Sequence, residues 1–455
     1  MPSRVLASIV VVLPHLFLMG LIFLFLALPE VPPRVVAVKE MIRANESFSI
    51  TFNKPIRTEG LEDRLAVLKN GERVAGTLKT TATTLFFSPE ESWESGQEYR
   101  VKIAPLPAER GGTTTEPIDL SLRIEKARVL FLSPDSRLME GNPETGVAEP
   151  VTPEGINIFS FSTGINGHVV ALYGLNGDRY KTGVLLGEKQ GTHYRLMMSP
   201  VVETPRYSQA LLCDGSRALL LVSQGSQGDP RVEYFTLDWE RPLSKESLQE
   251  WKIEETALYN DGDLACSEDT ARVLYRKSSG AYVTNFLGEE DEDIIGVFDS
   301  AIGFTPKDTS MLLQKSITET TADADYRSEL TLYRSDGASV TLSTPDTLFE
   351  ESSLSGTGTS LSVLSIEGES YASRIETYTL DGMAWTPRET VSPPQGKRIL
   401  HHDLSLDGNL VALQIEPGEM MTRVPMDSSQ IVLWSVQKKQ YLPFEWTGRE
   451  PQWEQ

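Results

Sequence analysis

A unit of two apolar strands joined by a polar turn recurs along the C-terminal part of the chain. The copies occupy residues 158–174, 209–223, 263–278, 302–316, 352–368 and 401–415. Their equivalent apolar positions are Val169, Leu219, Val273, Leu312, Leu361 and Val411, which gives a mean step of about 48 residues. A step of this length fits one four-stranded sheet of a radial array, so the repeat predicts an all-β fold with a β-propeller.

The two ends of this repeat region indicate how the ring closes. Residues 128–132 and 147–152 look like a sheet that lacks its innermost strand, and residues 450–453 look like the start of one more unit. Joining them gives a composite sheet and removes the open edges that a linear array leaves. We therefore predict a seven-bladed β-propeller over residues 127–455, closed by the C-terminal strand. Six blades are the alternative, because the step from Val273 to Leu312 is short.

The turn of the last copy carries a resemblance to known propellers. Residues 405–413 read SLDGNLVAL, and residues 213–221 read CDGSRALLL as a weaker copy. Both are similar to the S-P-D-G turn in propellers of Tol-type or WD-type periplasmic proteins and of prolyl-oligopeptidase-like peptidases. The resemblance implies a fold and no activity, because such a peptidase needs a G-x-S-x-G motif that this sequence lacks.

Residues 29–126 have a different β pattern. Apolar residues alternate with polar ones in 47–52 and 98–103, and Asn70-Gly71 predicts a hairpin turn. The stretches ITFNKPI (50–56) and LFFSPEESWESGQEYRVKI (85–103) resemble the bacterial Ig-like domain of surface-layer proteins. The matching residues are Phe52, Pro55, Ile56, Phe87, Pro89, Gly96, Tyr99 and Val101. The resemblance implies an Ig-like β-sandwich that acts as a spacer or adhesive module.

The N-terminal residues predict a membrane anchor. After a short tail of residues 1–4, Val5–Leu28 is a run of 24 residues without Asp, Glu, Lys or Arg. As a helix this run spans roughly 36 Å, enough to cross a hydrocarbon core of about 30 Å. It is longer than the apolar region of a signal peptide and has no A-x-A cleavage site. We expect an uncleaved, single-pass transmembrane helix in the cell membrane.

Two signals oppose each other on the orientation of this anchor. Arg34, Lys39 and Arg43 follow the helix, whereas only Arg4 and the amino terminus precede it, which favours a cytoplasmic large domain. Long domains, however, are often exported regardless of local charge. An Ig-like module joined to a Tol-type propeller is typical of the cell envelope. We therefore expect an extracytoplasmic large domain, with a cytoplasm-facing scaffold as the alternative.

Charge and cysteine content narrow the partners and the chemistry. The chain has 64 acidic and 42 basic residues, and a net charge of −22 repels nucleic acid phosphates and anionic headgroups. We expect no nucleic acid partner, and contact with the lipid bilayer only through the N-terminal helix. Cys213 and Cys266 occupy near-equivalent positions in adjacent repeats, where inner strands diverge. We expect two buried thiols rather than a disulfide.

The candidate functional residues lie in the last repeat, within HHDLSLDGN (401–409). They are His401, His402, Asp403 and Asp407. Successive residues of a regular strand point to opposite faces, so the two imidazoles should not face one metal ion, and we expect no cofactor. Asp407-Gly408 fits the turn between the first two strands of a blade. The surviving candidate is one histidine together with Asp403.

These patterns predict a binding protein rather than an enzyme. Blades present a channel mouth, which suits a protein or glycan of the cell envelope, and we expect a non-catalytic scaffold. The main alternative is an enzyme that acts on envelope polysaccharide through paired carboxylates at that mouth. Its candidate carboxylates lie at blade turns: Asp214, Glu268, Asp308 and Asp407. Aspartates at turns usually hydrogen-bond their own backbone, which favours the first interpretation.

Overall fold

The structure, a computed structural model, describes most of the chain between residues 32 and 454. The described ranges are 32–44, 46–109, 114–164, 167–176, 181–191, 193–199, 201–203, 206–214, 218–224, 230–236, 248–250, 264–267, 272–277, 280–285, 291–293, 298, 300–305, 310–318, 326–334, 337–344, 347–367, 372–418 and 428–454. The predicted anchor Val5–Leu28 lies outside them. Among the described residues, no helix is long and apolar enough to span a membrane.

The described residues form an all-β protein of two units, as the sequence predicted for the fold class. The first unit comprises the described residues up to Met41, with Ser47–Ser88 and Glu98–Arg123. The second comprises Ile42–Glu46, Pro89–Gln97 and Ile124–Gln455. Each unit is described by itself.

Two antiparallel sheets belong to the first part of the chain. Their strands are β1 (Val35–Val38), β2 (Met41–Ile42), β3 (Phe48–Phe52), β4 (Leu65–Lys69), β5 (Glu72–Arg73), β6 (Gly76–Thr80), β7 (Thr84–Pro89), β8 (Glu98–Ile103) and β9 (Ile118–Ile124). The strand orders are β1-β3-β7-β6 and β2-β9-β8-β4-β5. The predicted alternation is present, since β8 buries Tyr99, Val101 and Ile103 and exposes the residues between them. The Ig-like assignment of these sheets stays a prediction.

Seven antiparallel sheets form the second unit. Their strands are β10 (Val129–Leu132), β11 (Leu138–Gly141), β12 (Ala148–Pro150), β13 (Ile156–Thr163), β14 (His168–Leu175), β15 (Lys181–Gln190), β16 (His193–Met198), β17 (Val202–Glu203), β18 (Arg206–Asp214), β19 (Ala218–Gln224), β20 (Pro230–Thr236), β21 (Leu248–Glu250), β22 (Leu264–Ser267), β23 (Arg272–Lys277), β24 (Gly280–Asn285), β25 (Asp291–Asp293), β26 (Ser300–Phe304), β27 (Met311–Thr318), β28 (Tyr326–Tyr333), β29 (Ser339–Thr344), β30 (Thr347–Leu354), β31 (Ser360–Glu367), β32 (Ala372–Asp381), β33 (Ala384–Val391), β34 (Lys397–Leu404), β35 (Leu410–Pro417), β36 (Gln430–Ser435), β37 (Gln440–Thr447) and β38 (Arg449–Trp453).

The strand order makes this unit a β-propeller. Blades 2 to 7 each run outwards in chain order: β13-β14-β15-β16, β18-β19-β20-β21, β22-β23-β24-β25, β26-β27-β28-β29, β30-β31-β32-β33 and β34-β35-β36-β37. The short β17 adds to blade 2 by pairing with β15. Blade 1 has the order β12-β11-β10-β38, so its innermost strand comes from the C-terminal residues. The ring therefore contains seven sheets in the described part of the chain.

The repeat positions found in the sequence are core positions of this unit. Val169, Val273, Leu312, Leu361 and Val411 are all fully buried. Apolar clusters bridge neighbouring blades, as where Leu364 and Ile375 of blade 6 pack with Val411 and Leu413 of blade 7. Each blade buries its apolar face against the next, which is why a repeat of this type is stable only as an array.

The two cysteines form a disulfide, so the expectation of two free thiols is wrong. Cys213 of blade 3 is bonded to Cys266 of blade 4, with their Cα atoms 5.0 Å apart. The register of β18 shifts between Leu212 and Asp214, which makes Cys213 a bulge residue. A bulge re-aims the side chain that it carries. Cys213 consequently departs from the regular, diverging position that the sequence comparison assumed.

Candidate functional site: the central channel

The innermost strands of all seven blades surround a central channel of about 640 Å³. Residues from β13, β18, β22, β26, β30, β34 and β38 line it. A cavity of this size is within the range that holds small ligands or the side chains of a partner. The channel is the site at which residues far apart in sequence meet.

Bulges at the same level of four inner strands aim polar side chains at this channel. The register shifts directly before Ser160 in β13, Gln209 in β18, Glu351 in β30 and His401 in β34. All four residues line the channel. Glu351 in blade 6 is also the counterpart of His401 in blade 7. Glu351 pairs with Leu364 and His401 pairs with Gln414, and both members of the second pair follow those of the first by 50 residues.

Glu351 lies against both histidines of the candidate site. Its Oε1 atom is 3.6 Å from Nδ1 of His401, and its Oε2 atom is 3.2 Å from Nδ1 of His402. The backbone N–H of His402 also donates a hydrogen bond of 2.7 Å to Oε2. The two rings nevertheless differ in exposure, as expected for neighbouring residues of a strand, because the side chain of His401 is 49% exposed and that of His402 is fully buried. The expectation that they do not face one metal ion stays a prediction.

The contact between Glu351 and His401 stabilises opposite charges. Hydrogen bonding to Glu351 raises the pKa of His401, and the carboxylates of Glu351, Glu450 and Glu416 add to this effect against the opposing effect of burial. Burial by itself would raise the pKa of Glu351, but hydrogen bonds and attraction from His401 and His402 outweigh it and lower that pKa to about 2. His401 and Glu351 remain accessible from the channel, with 49% and 36% of their side chains exposed.

His402 occupies the inner side of this cluster. Its side chain is fully buried, although the residue contributes to the channel lining. Its Nδ1 atom faces Glu351, and its Nε2 atom has no hydrogen-bond partner among the residues that the structure describes. Burial of a polar atom without a partner costs free energy, so the position of His402 is not explained by the packing of the strand alone.

Asp403 holds three blades together at the channel wall. Its Oδ1 atom accepts a hydrogen bond of 2.5 Å from the hydroxyl of Ser353 in blade 6. The same atom accepts a bond of 2.9 Å from the backbone N–H of Leu404, the next residue in the chain. Its Oδ2 atom accepts a 2.7 Å bond from the backbone N–H of Trp453 in blade 1. Burial raises the pKa of Asp403 to about 6, against the opposing effect of these hydrogen bonds. Both carboxylate oxygens are thus engaged in structure.

The closing strand contributes a further acid and a further link. Glu450 lines the channel in a left-handed backbone conformation with φ of 54°, and its N–H donates to Oε1 of Gln414 at 2.8 Å. Its carboxylate contacts the guanidinium of Arg449. The side chain of Gln452 forms two hydrogen bonds of 3.1 Å with blade 2. Its Oε1 atom accepts from the backbone N–H of Thr163, and its Nε2 atom donates to the carbonyl of Phe161.

The channel therefore has two chemically different walls. The polar wall, from blades 6, 7 and 1, consists of Glu351, Ser353, His401, Asp403, Glu450 and Gln452. The mainly apolar wall, from blades 3, 4 and 5, contains Leu211, Ala265, Ile302 and Phe304, beside Gln209 and Cys266 of the disulfide, and is called the apolar wall. No Lys or Arg occurs among the described residues that line the channel.

The predicted candidate residues separate into two groups. His401, His402 and Asp403 line the channel, whereas Asp407 belongs to the turn between β34 and β35. Oδ1 of Asp407 accepts bonds from the hydroxyl of Ser405 at 2.6 Å and the N–H of Asn409 at 3.1 Å, and Gly408 has φ of 67°. The predicted turn is confirmed. Of the other turn carboxylates, Glu268, Asp308 and the side chain of Asp214 lie outside the described part of the structure.

Glu351 is the functional candidate that the sequence did not reveal. The signal for it was present, because the repeat step of 50 residues aligns LFEESSL (348–354) with RILHHDL (398–404). That alignment superimposes Glu351 on His401 and Ser353 on Asp403. Adjacent blades of a propeller bring such equivalent residues together, so the pairing of acid with histidine follows from the repeat.

The channel lining offers charged and hydrogen-bonding groups on one side and apolar surface on the other. Within the described ranges, no group of three or more His, Cys, Asp or Glu side chains has the arrangement of a metal site. Asp403 has both oxygens occupied, and Glu351 is held in its ionised form. The polar wall presents hydrogen-bonding groups and negative charge, and the apolar wall presents surface for hydrophobic contact.

Comparison with known proteins gives only remote likenesses. No family model matches the sequence, and no match is found among curated proteins. A protein from Lactobacillus plantarum is similar over 72% of this chain and 98% of its own, with 11% identity and a TM-score of 0.47. A hypothetical selenium-binding protein from Sulfolobus tokodaii has 10% identity and a TM-score of 0.46 over 72% of this chain and 92% of its own.

A third solved structure is the β-propeller domain of the trilobed protease from Pyrococcus furiosus. It has 12% identity and a TM-score of 0.40, over 64% of this chain and 84% of its own. Likenesses at this level carry no argument about activity. The propeller assignment depends on the strand pairing of the chain itself.

Proposed function

We propose that this protein is a single-pass protein of the cell membrane whose propeller acts outside the cytoplasm as a non-catalytic binding scaffold. Its partner is a protein or glycan of the cell envelope, held at the central channel. The observation that carries the proposal is the two-walled channel, in which the partly exposed side chains of His401 and Glu351 share the lining with Ile302 and Phe304. A cavity with a few converging polar groups and an apolar surface is the usual form of a binding site.

The engagement of the carboxylates supports a non-catalytic role. A glycosidase needs one carboxyl free to give a proton and a second free to act as base or nucleophile. Here Asp403 is bound by Ser353, Leu404 and Trp453, and the low pKa of Glu351 leaves it without a proton to give near neutral pH. The alternative of a polysaccharide-cleaving enzyme predicts turnover of envelope glycans by the full chain, which we expect to be undetectable.

The disulfide supports the proposed compartment. Disulfides persist in oxidising environments and are rare in the cytoplasm, so a Cys213–Cys266 bond fits an exported propeller better than a cytoplasm-facing one. Together with the apolar run Val5–Leu28, it supports an anchor with the large domain outside. We further propose that the first unit is an Ig-like spacer between this anchor and the propeller.

Thiol labelling in cells tests the compartment. Cells are treated with a thiol reagent that adds a large polymer, with and without prior reduction of the denatured protein. We expect no labelling of Cys213 or Cys266 without reduction and double labelling after it. Labelling of both cysteines without reduction, together with protection of the large domain from protease in spheroplasts, would support the cytoplasm-facing alternative.

Capture from envelope extracts tests the binding site. The full chain in non-ionic detergent is compared with Ile302→Trp, which fills the channel from the apolar wall, and with Glu149→Gln, an exposed position on the outer strand of blade 1. We expect an envelope component to be retained by the wild type and by Glu149→Gln and lost with Ile302→Trp. Equal capture by all three proteins would refute a binding site in the channel.

A further inference from the structure

The balance of charge in the channel indicates which chemical group it accepts. Its described lining contains three carboxylates, Glu351, Asp403 and Glu450, and no Lys or Arg. Arg449 compensates Glu450 in part, and the two histidines face Glu351. The whole chain carries a charge of −22, so the field around the channel attracts cations and repels anions.

The apolar wall restricts this cation further. Leu211, Ala265 and Ile302 are aliphatic, and they line the same channel as the carboxylates. If a hydrated metal ion or a polyamine were bound, the aliphatic side chains of the apolar wall would remain in contact with water. A cation on an aliphatic stem, with apolar groups beside it, would contact both walls at once. A basic side chain in an apolar peptide segment has this combination of properties.

The cluster also contains two buried polar atoms without partners among the described residues. The ring of His402 is fully buried beside the channel, and its Nε2 atom has no hydrogen-bond partner among the described residues. In the adjacent blade, Ser352 occupies the equivalent repeat position, and within the described part of the chain its buried hydroxyl oxygen also has no partner. Buried polar groups without partners are costly, and a ligand that supplies hydrogen bonds removes that cost.

We propose that the channel binds a lysine or arginine side chain of a protein partner, with the cation between Glu351 and Glu450 and the flanking aliphatic residues of the partner on Leu211 and Ile302. This inference rests on the proposed function and chooses the protein over the glycan as ligand. His401 competes with the cation for Glu351, since its protonated ring already faces that carboxylate. Binding therefore strengthens as His401 loses its proton.

The test measures heats of binding of two small peptides to the full chain in non-ionic detergent. The probes are acetyl-Leu-Lys-Leu-amide and the same peptide with an acetylated lysine side chain, which removes the single charge. We expect the charged peptide to bind at least about tenfold more tightly, as one charge-assisted contact contributes. We expect Glu351→Gln and Glu450→Gln each to weaken it about fivefold.

Two further measurements separate a channel site from general attraction to an acidic protein. Glu149→Gln removes the same charge from an exposed position outside the channel, and we expect it to leave the affinity unchanged. The affinity of the wild type should rise between pH 7 and pH 8.5, a range above the pKa of about 6 of Asp403, with Glu351, Glu416, Glu450, Asp403 and His402 as the titratable groups around His401. In His401→Gln this rise should disappear.

Several results would overturn the inference. They are equal affinity for the two peptides, no measurable heat with either, or an equal loss of affinity in Glu149→Gln and Glu450→Gln. Binding of a neutral trisaccharide in place of the charged peptide would also overturn it. If envelope capture is still lost with Ile302→Trp in any of these cases, the proposed binding function stands and only the cationic ligand is refuted.

Discussion

The two sides of the propeller channel are joined by different means. On the side of blades 6, 7 and 1, Asp403 receives hydrogen bonds from Ser353 and Trp453, and Gln452 continues this chain of contacts to blade 2. On the other side, blades 3 and 4 are joined by the disulfide between Cys213 and Cys266, and the channel surface there is apolar. The difference shows that the polar wall combines groups that join the blades with groups that are open to the channel, whereas the apolar wall mainly supplies surface.

This comparison implies that changes in the two walls have separable effects. Loss of the covalent link should destabilise the ring without touching the charges of the site. Changes in the polar wall should alter stability and its pH dependence together, because the same carboxylates serve both. Changes in the apolar wall should mainly alter the fit of a ligand.

The largest expected effect comes from removing the disulfide. Cys213→Ser with Cys266→Ser opens a loop of sequence separation 53. The chain-entropy relation then predicts a loss of about 4 kcal/mol in the free energy of unfolding, because the unfolded chain gains freedom. Urea denaturation measures the loss, and reduction of the wild type should reproduce it. A double variant as stable as the oxidised wild type would contradict the role of the bond in joining the blades.

Removing the side chain of Asp403 should lower the free energy of unfolding somewhat less than removing the disulfide. Asp403→Ala leaves the N–H of Trp453 without its acceptor and frees Ser353, and an unsatisfied buried donor costs about 1–3 kcal/mol. We expect a decrease of about 2–3 kcal/mol in the free energy of unfolding. Asp381→Ala, at the exposed end of β32, is the matched control and should change it by less than about 0.5 kcal/mol. Equal effects would remove the distinction between the channel wall and the outer surface.

A pH profile should reveal the pairing of Glu351 with His401. The lowered pKa of Glu351 gives stability that is present above its unfolded value of 4.5 and is lost as pH falls towards 2. The raised pKa of His401 gives stability that is present below 6.5 and is lost as pH rises through its folded value. The difference in the free energy of unfolding between the wild type and Glu351→Gln should therefore be largest between pH 4.5 and 6.5.

The size of this difference is small because both side chains are partly exposed. We expect about 1 kcal/mol at its maximum, after allowance for screening by solvent. Urea denaturation of both proteins from pH 3 to pH 9 measures it. A difference that stays constant over this range would mean that the two groups are not coupled.

The smallest effect on stability is expected in the apolar wall. Ile302 is partly exposed in the channel, so Ile302→Ser removes limited buried surface and should cost less than about 1.5 kcal/mol. The affinity for acetyl-Leu-Lys-Leu-amide should nevertheless fall about threefold, since an aliphatic contact is lost. The pH profile should not change. An altered profile would show that the two walls are not independent.

The sequence predicted the parts of this molecule that follow from local repetition. The equivalence of Val169, Leu361 and Val411 identified buried positions, and Asp407-Gly408 identified a turn, because apolar periodicity and turn chemistry act over a few residues. The repeat in the sequence also predicted that His401, His402 and Asp403 lie near one inner strand. The Ig-like assignment, the anchor and its orientation stay predictions.

The remaining features depend on backbone irregularities that a sequence does not display. Bulges precede Glu351 and His401 in their strands, and the bulge at Cys213 re-aims the side chain that is bonded to Cys266. A bulge shifts the side chains beyond it by one position, which for Cys213 reverses the conclusion drawn from a regular strand. The partnership with Glu351 needed the comparison of neighbouring repeats rather than inspection of one.

The closing strand has a consequence for the kinetics of folding. Blades 2 to 7 are formed by hairpins between successive strands, whereas blade 1 joins β10 to β38, and Trp446 bonds to the carbonyl of Gly146 across 300 residues. Contacts between such distant residues form slowly, because the chain between them must first be ordered. Ring closure should be the late, rate-limiting step of propeller folding. Glu450 and Gln452 belong to that strand, so the polar wall of the channel is complete only when the ring closes.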